Sequence, residues 1–167
     1  MEEKNPDIEN KQAIAESVGV GAIVFYYLSN NRMKDINFVL EDALSFEGNT
    51  GPYVQYTYAR ACSILSRGEP DEAKPLTITD EAESTLCKVL AKFPEKVLEA
   101  IRDYEPSVIT RYILDVAAAF NRFYHNCKIL NAESEEVKNT RLVLTRATKI
   151  VLGNAFELIC LKKEEKI

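Results

Sequence analysis

The run Gly48-Asn49-Thr50-Gly51-Pro52 leaves the chain few ways to continue. Asn49 or Thr50 can accept a hydrogen bond from the free amides of a helix start. Pro52 has its φ preset for a first helical turn and no N–H to leave unsatisfied. The stretch from Glu47 to Arg67, EGNTGPYVQYTYARACSILSR, therefore reads as a tight turn opening into a helix. At helical spacing Val54, Tyr58, Ala61 and Leu65 share one face, which suits a core. Tyr53, Tyr56, Thr57, Arg60 and Ile64 share another. Two phenol rings and a guanidinium on one face can stack on a flat ring and hydrogen-bond its edge. The same tyrosines also suit a packed interior with satisfied hydroxyls, but an arginine between them is costly to bury without a purpose.

The remaining pattern is helical throughout. Asn10 to Val18 reads as a short helix for which Asn10 is a candidate cap, with Ile14 and Val18 inward. Gly19-Val20-Gly21 allows close backbone approach before a second apolar segment, Ala22 to Leu28. No third glycine follows at the spacing of a phosphate loop. Asp35 to Val39 is a short extended piece, and Gly68 to Lys74 a loop. Thr79 caps a helix whose stripe is Ala82, Leu86, Val89, Leu90 and Phe93, with acidic residues at its start and lysines at its end. Pro94 starts another, with Val97, Leu98 and Ile101 inward, ending at Tyr104-Glu105-Pro106. Ser107 to about Leu130 is the strongest amphipathic helix, with Ile109, Ile113, Val116, Ala117, Phe120, Tyr124 and Cys127 as its stripe. Ala117-Ala118-Ala119 admits a neighbouring helix. A polar loop, Asn131 to Glu136, precedes a last helix from Glu136 to Leu161 with Val143, Ala147, Ile150, Val151, Ala155 and Leu158 on its apolar side. Lys138, Arg141, Arg146 and Lys149 make that helix the most basic stretch, either a solvated face or a set of phosphate contacts. The fold class expected is all-α, an antiparallel bundle of about five or six helices.

A chain of 167 residues suits one domain with a lead-in. No apolar run nears the roughly 20 residues of a membrane span, and MEEKNPDIEN is unlike an export signal, so a cytoplasmic location without membrane attachment is expected. The net charge of −5 argues against a general nucleic-acid binder, and no DNA partner is expected, but a local pocket for a few unstacked bases is compatible with it. Cys62, Cys87, Cys127 and Cys160 form no C-x-x-C pair and His125 is the only histidine, so no metal site is expected and the thiols read as buried and reduced. No nucleophile stands with a base; His125 lies off the apolar stripe and reads as exposed, and no catalytic residue is assigned.

GNTGPYVQYTYARACSI resembles the signature of arginyl-tRNA synthetases at the passage from the catalytic body to the anticodon-binding domain. VGVGAIVFYYLSNNRMKDINF is similar to the segment that precedes this passage. Pro106, Tyr112, Asp115 and Phe120-Asn121-x-Phe123-Tyr124 resemble the first half of the helical bundle called the DALR domain, and Asn139-Thr140-Arg141-Leu142-Val143-Leu144 its Arg-Leu-x-Leu region. The resemblance implies a lead-in over residues 1–46 and an anticodon-binding bundle over 47–167. It implies recognition of arginine tRNA through its anticodon loop, as the C-terminal part of a class I synthetase that joins arginine to tRNA with ATP and magnesium. The His-x-Gly-His and Lys-Met-Ser-Lys motifs of that class are absent, so this piece is expected to carry no cofactor and to be inactive without an N-terminal catalytic body.

Carried over residue by residue, the resemblance puts Asn49, Tyr53, Tyr56, Arg60 and Tyr124 at the anticodon pocket. Lys128 stands where some relatives have an aromatic, which suggests a phosphate contact, and Ile167 stands where many end in a methionine that closes the pocket. Arg141, Arg146 and Lys149 are the candidate phosphate contacts. The alternative is a synthetase-derived helical interaction or regulatory module that no longer reads tRNA, against which an intact Asn49, Tyr53 and Arg60 argue.

Overall fold

The computed structural model describes residues 10–167; the polar stretch 1–9, read above as unlike an export signal, lies outside them. Among the described residues the regular elements are helices only, α1 (Lys11–Leu28), α2 (Leu40–Ala43), α3 (Gly51–Leu65), α4 (Glu81–Leu90), α5 (Phe93–Asp103), α6 (Ser107–Asn126) and α7 (Glu135–Leu158). The expected all-helical bundle is what forms. Helices α3, α6 and α7 pack on one another, α4 lies against α6 and α7, α5 covers α6, and α1 lies along α3. Phe25, Val54, Leu86, Ile113, Val116, Phe120, Phe123, Leu152 and Phe156 lie at the centre of the core.

Helix α3 starts as its sequence dictates. Thr50, extended at φ −122° and ψ 159°, accepts from the Tyr53 amide at 3.2 Å, and Pro52 occupies the first turn. Of the two candidate caps Thr50 serves, and Asn49 is exposed on the turn. Gly48 supplies the positive φ of 83° that the turn requires.

Residues 11–28 form one helix where a break at Gly19-Val20-Gly21 was expected. Glycine within a helix costs about 1 kcal/mol relative to alanine, but a Cβ on Gly21 would stand 2.8 Å from Leu161 Cδ1 and 3.0 Å from Gln55 Oε1. A Cβ on Gly51 would stand 2.9 Å from the Gly21 carbonyl oxygen and 3.0 Å from Ala22 Cα, so Gly51 lets the start of α3 touch the backbone of α1. Gly51→Ala is therefore expected to push the helices apart and cost about 1–2 kcal/mol, read as a lower urea midpoint at unchanged slope. The expected extended piece enters no sheet among the described residues. It is fastened to α1 instead, where Phe38 stacks on Tyr27 at 5.7 Å and the Tyr26 hydroxyl donates to the Asn37 carbonyl at 2.7 Å.

Other expectations shift. Asp80, not Thr79, caps α4, accepting from Ala82 N at 2.7 Å, while Glu83 reaches back to the amides of Asp80 and Thr79 in a capping box. Val97 packs on the core, but Leu98 and Ile101 are 68% and 64% exposed, so α5 turns an apolar edge outward. On α7 the buried face is Val137, Thr140, Arg141, Leu144, Thr145, Thr148, Leu152, Ala155 and Phe156, while Ile150 and Leu158 are exposed. The inward face is thus rotated from the apolar pattern, because three buried threonines donate their hydroxyls to carbonyls four residues back at 2.8–3.0 Å. Cys62 and Cys127 are buried and Cys87 is half-buried, but Cys160 is exposed just beyond α7. Burial pushes the Cys127 thiol up to about 11, which keeps it protonated and unreactive at neutral pH.

Candidate functional site

Arg60 projects from α3 into a slot between two rings. Its guanidinium carbon lies 4.9 Å from the Tyr56 ring centre, on the same helix, and 4.8 Å from that of Tyr124, near the end of α6. Tyr124 continues the apolar spacing of α6 yet is 41% exposed, so it leaves the core stripe to stack on Arg60. Cation–π contacts of this kind contribute about 0.5–1 kcal/mol each at exposed sites.

Asn121, one turn before Tyr124, fixes the edge of the guanidinium. Its Oδ1 accepts from Arg60 Nη1, and its Nδ2 donates to the Tyr53 hydroxyl at 2.9 Å and to Thr57 Oγ1 at 3.1 Å. The Thr57 hydroxyl in turn donates to the Tyr53 carbonyl at 3.0 Å. Each polar group of this cluster thus has a partner, as half-buried groups require. Asn121 belongs to this candidate site by its hydrogen bonds, and sequence reasoning passed over it. It was visible only as one letter of a motif, and the hint was its place three residues before Tyr124 on a helix.

Tyr56, Arg60, Tyr124, Lys128 and Ile167 line one groove of about 620 Å³. Arg67 and Lys166 line it as well. Ile167 is buried against Val18 and Ala59, with Ile14 beside them, so the chain's last residue ties α1 to α3 at the groove. Lys128 lies past the end of α6, where Cys127 turns extended, and its carbonyl accepts from Arg141 Nη1 at 2.9 Å.

Two of the expected pocket residues stand apart. Tyr53 lies beneath, half-buried against the core with its hydroxyl on Asn121, and does not line the groove. Exposed Asn49 does not line it either. Of the expected phosphate contacts, Arg141 is the one the fold takes inside. The Arg141 side chain is 4% exposed, with Nε on Glu83 at 2.6 Å and Nη1 on Glu133 at 3.1 Å, so it serves the fold and faces no solvent. Burial works against its charge, but the bond to Glu83 and that carboxylate's charge prevail and hold its pKa above the ordinary value. Arg146 is paired with Glu72 at 3.3 Å and Lys149 with Glu165 at 2.8 Å. His125 is exposed, edge-on to Tyr124, as its position off the stripe indicated.

The profile of the DALR anticodon binding domain matches residues 54–167. An arginine–tRNA ligase of Alkaliphilus metalliredigens is 49% identical over 170 residues, taking in 100% of this chain and 30% of that protein. One from Clostridium botulinum is 47% identical over 169 residues, with the same coverage of each. The fold is similar to that of Thermus thermophilus arginyl-tRNA synthetase, at a TM-score of 0.88 and 37% identity, over 99% of this chain and 29% of that one. The chain spans 30% of the length of the curated relatives it matches. With the matched profile running from Val54 in α3 through Ile167 at the groove, the chain belongs to the DALR anticodon binding domain family.

Proposed function

We propose that this chain reads the anticodon loop of an arginine tRNA, as the C-terminal part of a cytoplasmic arginine–tRNA ligase whose catalytic body precedes it. The observation that carries the reading is Arg60, held between Tyr56 and Tyr124 at the groove that Ile167 also lines. Every arginine codon has G in the middle, so every arginine anticodon has cytosine there. Cytosine offers O2 and N3 as acceptors, and a guanidinium has five N–H donors, of which Asn121 takes one from Nη1. Single-stranded loops are read in this way, by unstacking a base onto a ring and bonding its exposed edge. The inner faces of the two tyrosines are already covered by Arg60, so the base stacks on a side turned away from it. Such stacking is worth about 1–3 kcal/mol per base.

In this reading residues 1–46 are the lead-in from the catalytic body and 47–167 the reading bundle. ATP and magnesium belong to the body. The residues here do not fit them: the sequence has neither nucleotide-binding motif of the class, and among the described residues no group of three or more His, Cys, Asp or Glu could hold a metal ion. No described helix is long and apolar enough to cross a membrane. The energy of anticodon binding is then spent on orienting the acceptor end towards that body and on rejecting other tRNAs.

Binding of the chain to an arginine tRNA, and to the same tRNA with its middle anticodon cytosine replaced, tests the reading. The replacement and Arg60→Ala are each expected to cost at least about 1 kcal/mol, the scale of one lost base contact. Equal binding of both tRNAs by the folded chain would sink it.

A further inference from the structure

We propose that Arg67, Lys128 and Lys166 grip the phosphates of the RNA strand whose base Arg60 reads, in place of the basic stretch of α7. The proposal rests on the anticodon reading above. With a net charge of −5 the chain attracts a polyanion only locally, so the cations that matter are those left uncompensated beside the groove.

The cations of α7 are spoken for. Arg141, Arg146 and Lys149 each stand within 4.0 Å of a carboxylate, as do Arg32, Lys96 and Lys163 elsewhere. Arg67, Lys128 and Lys166 differ: among the described residues none of their charged groups has a carboxylate within 4.0 Å or a side-chain hydrogen bond, and all three are exposed along the groove. Glu165, the acid that lines the same groove, is occupied by Lys149 at 2.8 Å.

The three cations come from three separate places and each is held by its backbone. Arg67 follows α3, with its amide on the Ile64 carbonyl at 3.0 Å. Lys128 follows α6, its carbonyl fixed by the buried Arg141. Lys166 precedes Ile167, which is anchored in the small cluster with Val18 and Ala59. Positive charge on fixed backbone, flanking a ring-lined slot, suits a bent single strand, with phosphates positioned by cations and the base by the slot.

The salt dependence of arginine tRNA binding tests this. Each single-strand phosphate contact adds about 0.7 to the slope of log K against log salt. The variant Arg67→Gln/Lys128→Gln/Lys166→Gln is expected to flatten that slope by about 2 and weaken binding tenfold or more at low salt. Discrimination against the cytosine-replaced tRNA should stay unchanged, because the base contact is intact. Arg146→Gln on α7, whose partner Glu72 does not line the groove, should leave the slope as it was. An unchanged slope in the triple variant, with discrimination and the Arg60→Ala loss both present, overturns the grip alone. The same is true if the α7 variant flattens the slope as much. Binding without discrimination in the unmodified chain, or no binding at all, overturns the anticodon reading and the grip together.

Discussion

Glu83→Ala is expected to lower the unfolding free energy by about 3–5 kcal/mol, the usual cost of breaking a buried ion pair by removing one partner. Glu83 has no exposed surface, and its two oxygens do separate work. One accepts from the Thr79 and Asp80 amides at 2.7 and 3.1 Å and fixes the start of α4; the other accepts from Arg141 Nε at 2.6 Å and ties α4 to α7. Without it the Arg141 charge stays in the interior with only Glu133, whose side chain is 71% exposed, as counter-ion. For a chain of this length each kcal/mol shifts Tm by roughly 2–4 °C, so a drop of about 6–20 °C is expected. Arg141→Ala should be nearly as damaging, and the double variant should cost clearly less than the two singles together. A loss below about 1 kcal/mol, the level of an exposed pair, would mean that water reaches the guanidinium and that the pair is not structural. The pair also bears on function: Arg141 holds the Lys128 carbonyl, so weakening it loosens one wall of the groove.

Why Arg141 passes for a phosphate contact in the sequence is clear from this pair. In sequence Lys138, Arg141, Arg146 and Lys149 look alike, a row of cations on a polar helix. What distinguishes Arg141 is Glu83, 58 residues earlier, brought opposite it only by the packing of α4 on α7. The rotated face of α7 has a related cause, since threonines that bond to their own helix can be buried without looking apolar. The start of α3 was legible because turn, cap and proline act within a few residues of one another. Its neighbour α1 was read as two pieces, because what needs the room at Gly21 is the side chains of Leu161 and Gln55, far along the chain, and not its own helix. At the groove, Arg60 and Tyr56 were legible as one turn of α3. That Tyr124 would join them was legible only through the resemblance, and that Tyr53 would sit beneath depended on how the two helices meet.

Asn121→Ala carries the second large effect, and it separates positioning from contact. The amide does not line the groove, yet it holds Arg60 at Nη1 and ties the Tyr53 and Thr57 hydroxyls together. Alanine removes one acceptor and two donated bonds in a half-buried setting, for an expected stability loss of about 2–3 kcal/mol. Binding should suffer separately. A guanidinium free to turn between Tyr56 and Tyr124 no longer presents its donors in one plane, so the advantage of cytosine over a replaced base is expected to fall about tenfold, or about 1.4 kcal/mol. Asn121→Asp keeps an acceptor for Arg60, and the Tyr53 and Thr57 hydroxyls can rotate to donate towards it, so it should retain most of the discrimination. Measuring binding of both tRNAs well below each variant's unfolding midpoint keeps the two effects distinct. If Asn121→Ala binds with full discrimination once folded, Arg60 is aligned by the two rings alone and the amide belongs to the fold. If it loses discrimination and Asn121→Asp keeps it, the edge of the guanidinium, and not only its charge, is what this bundle uses to read a base.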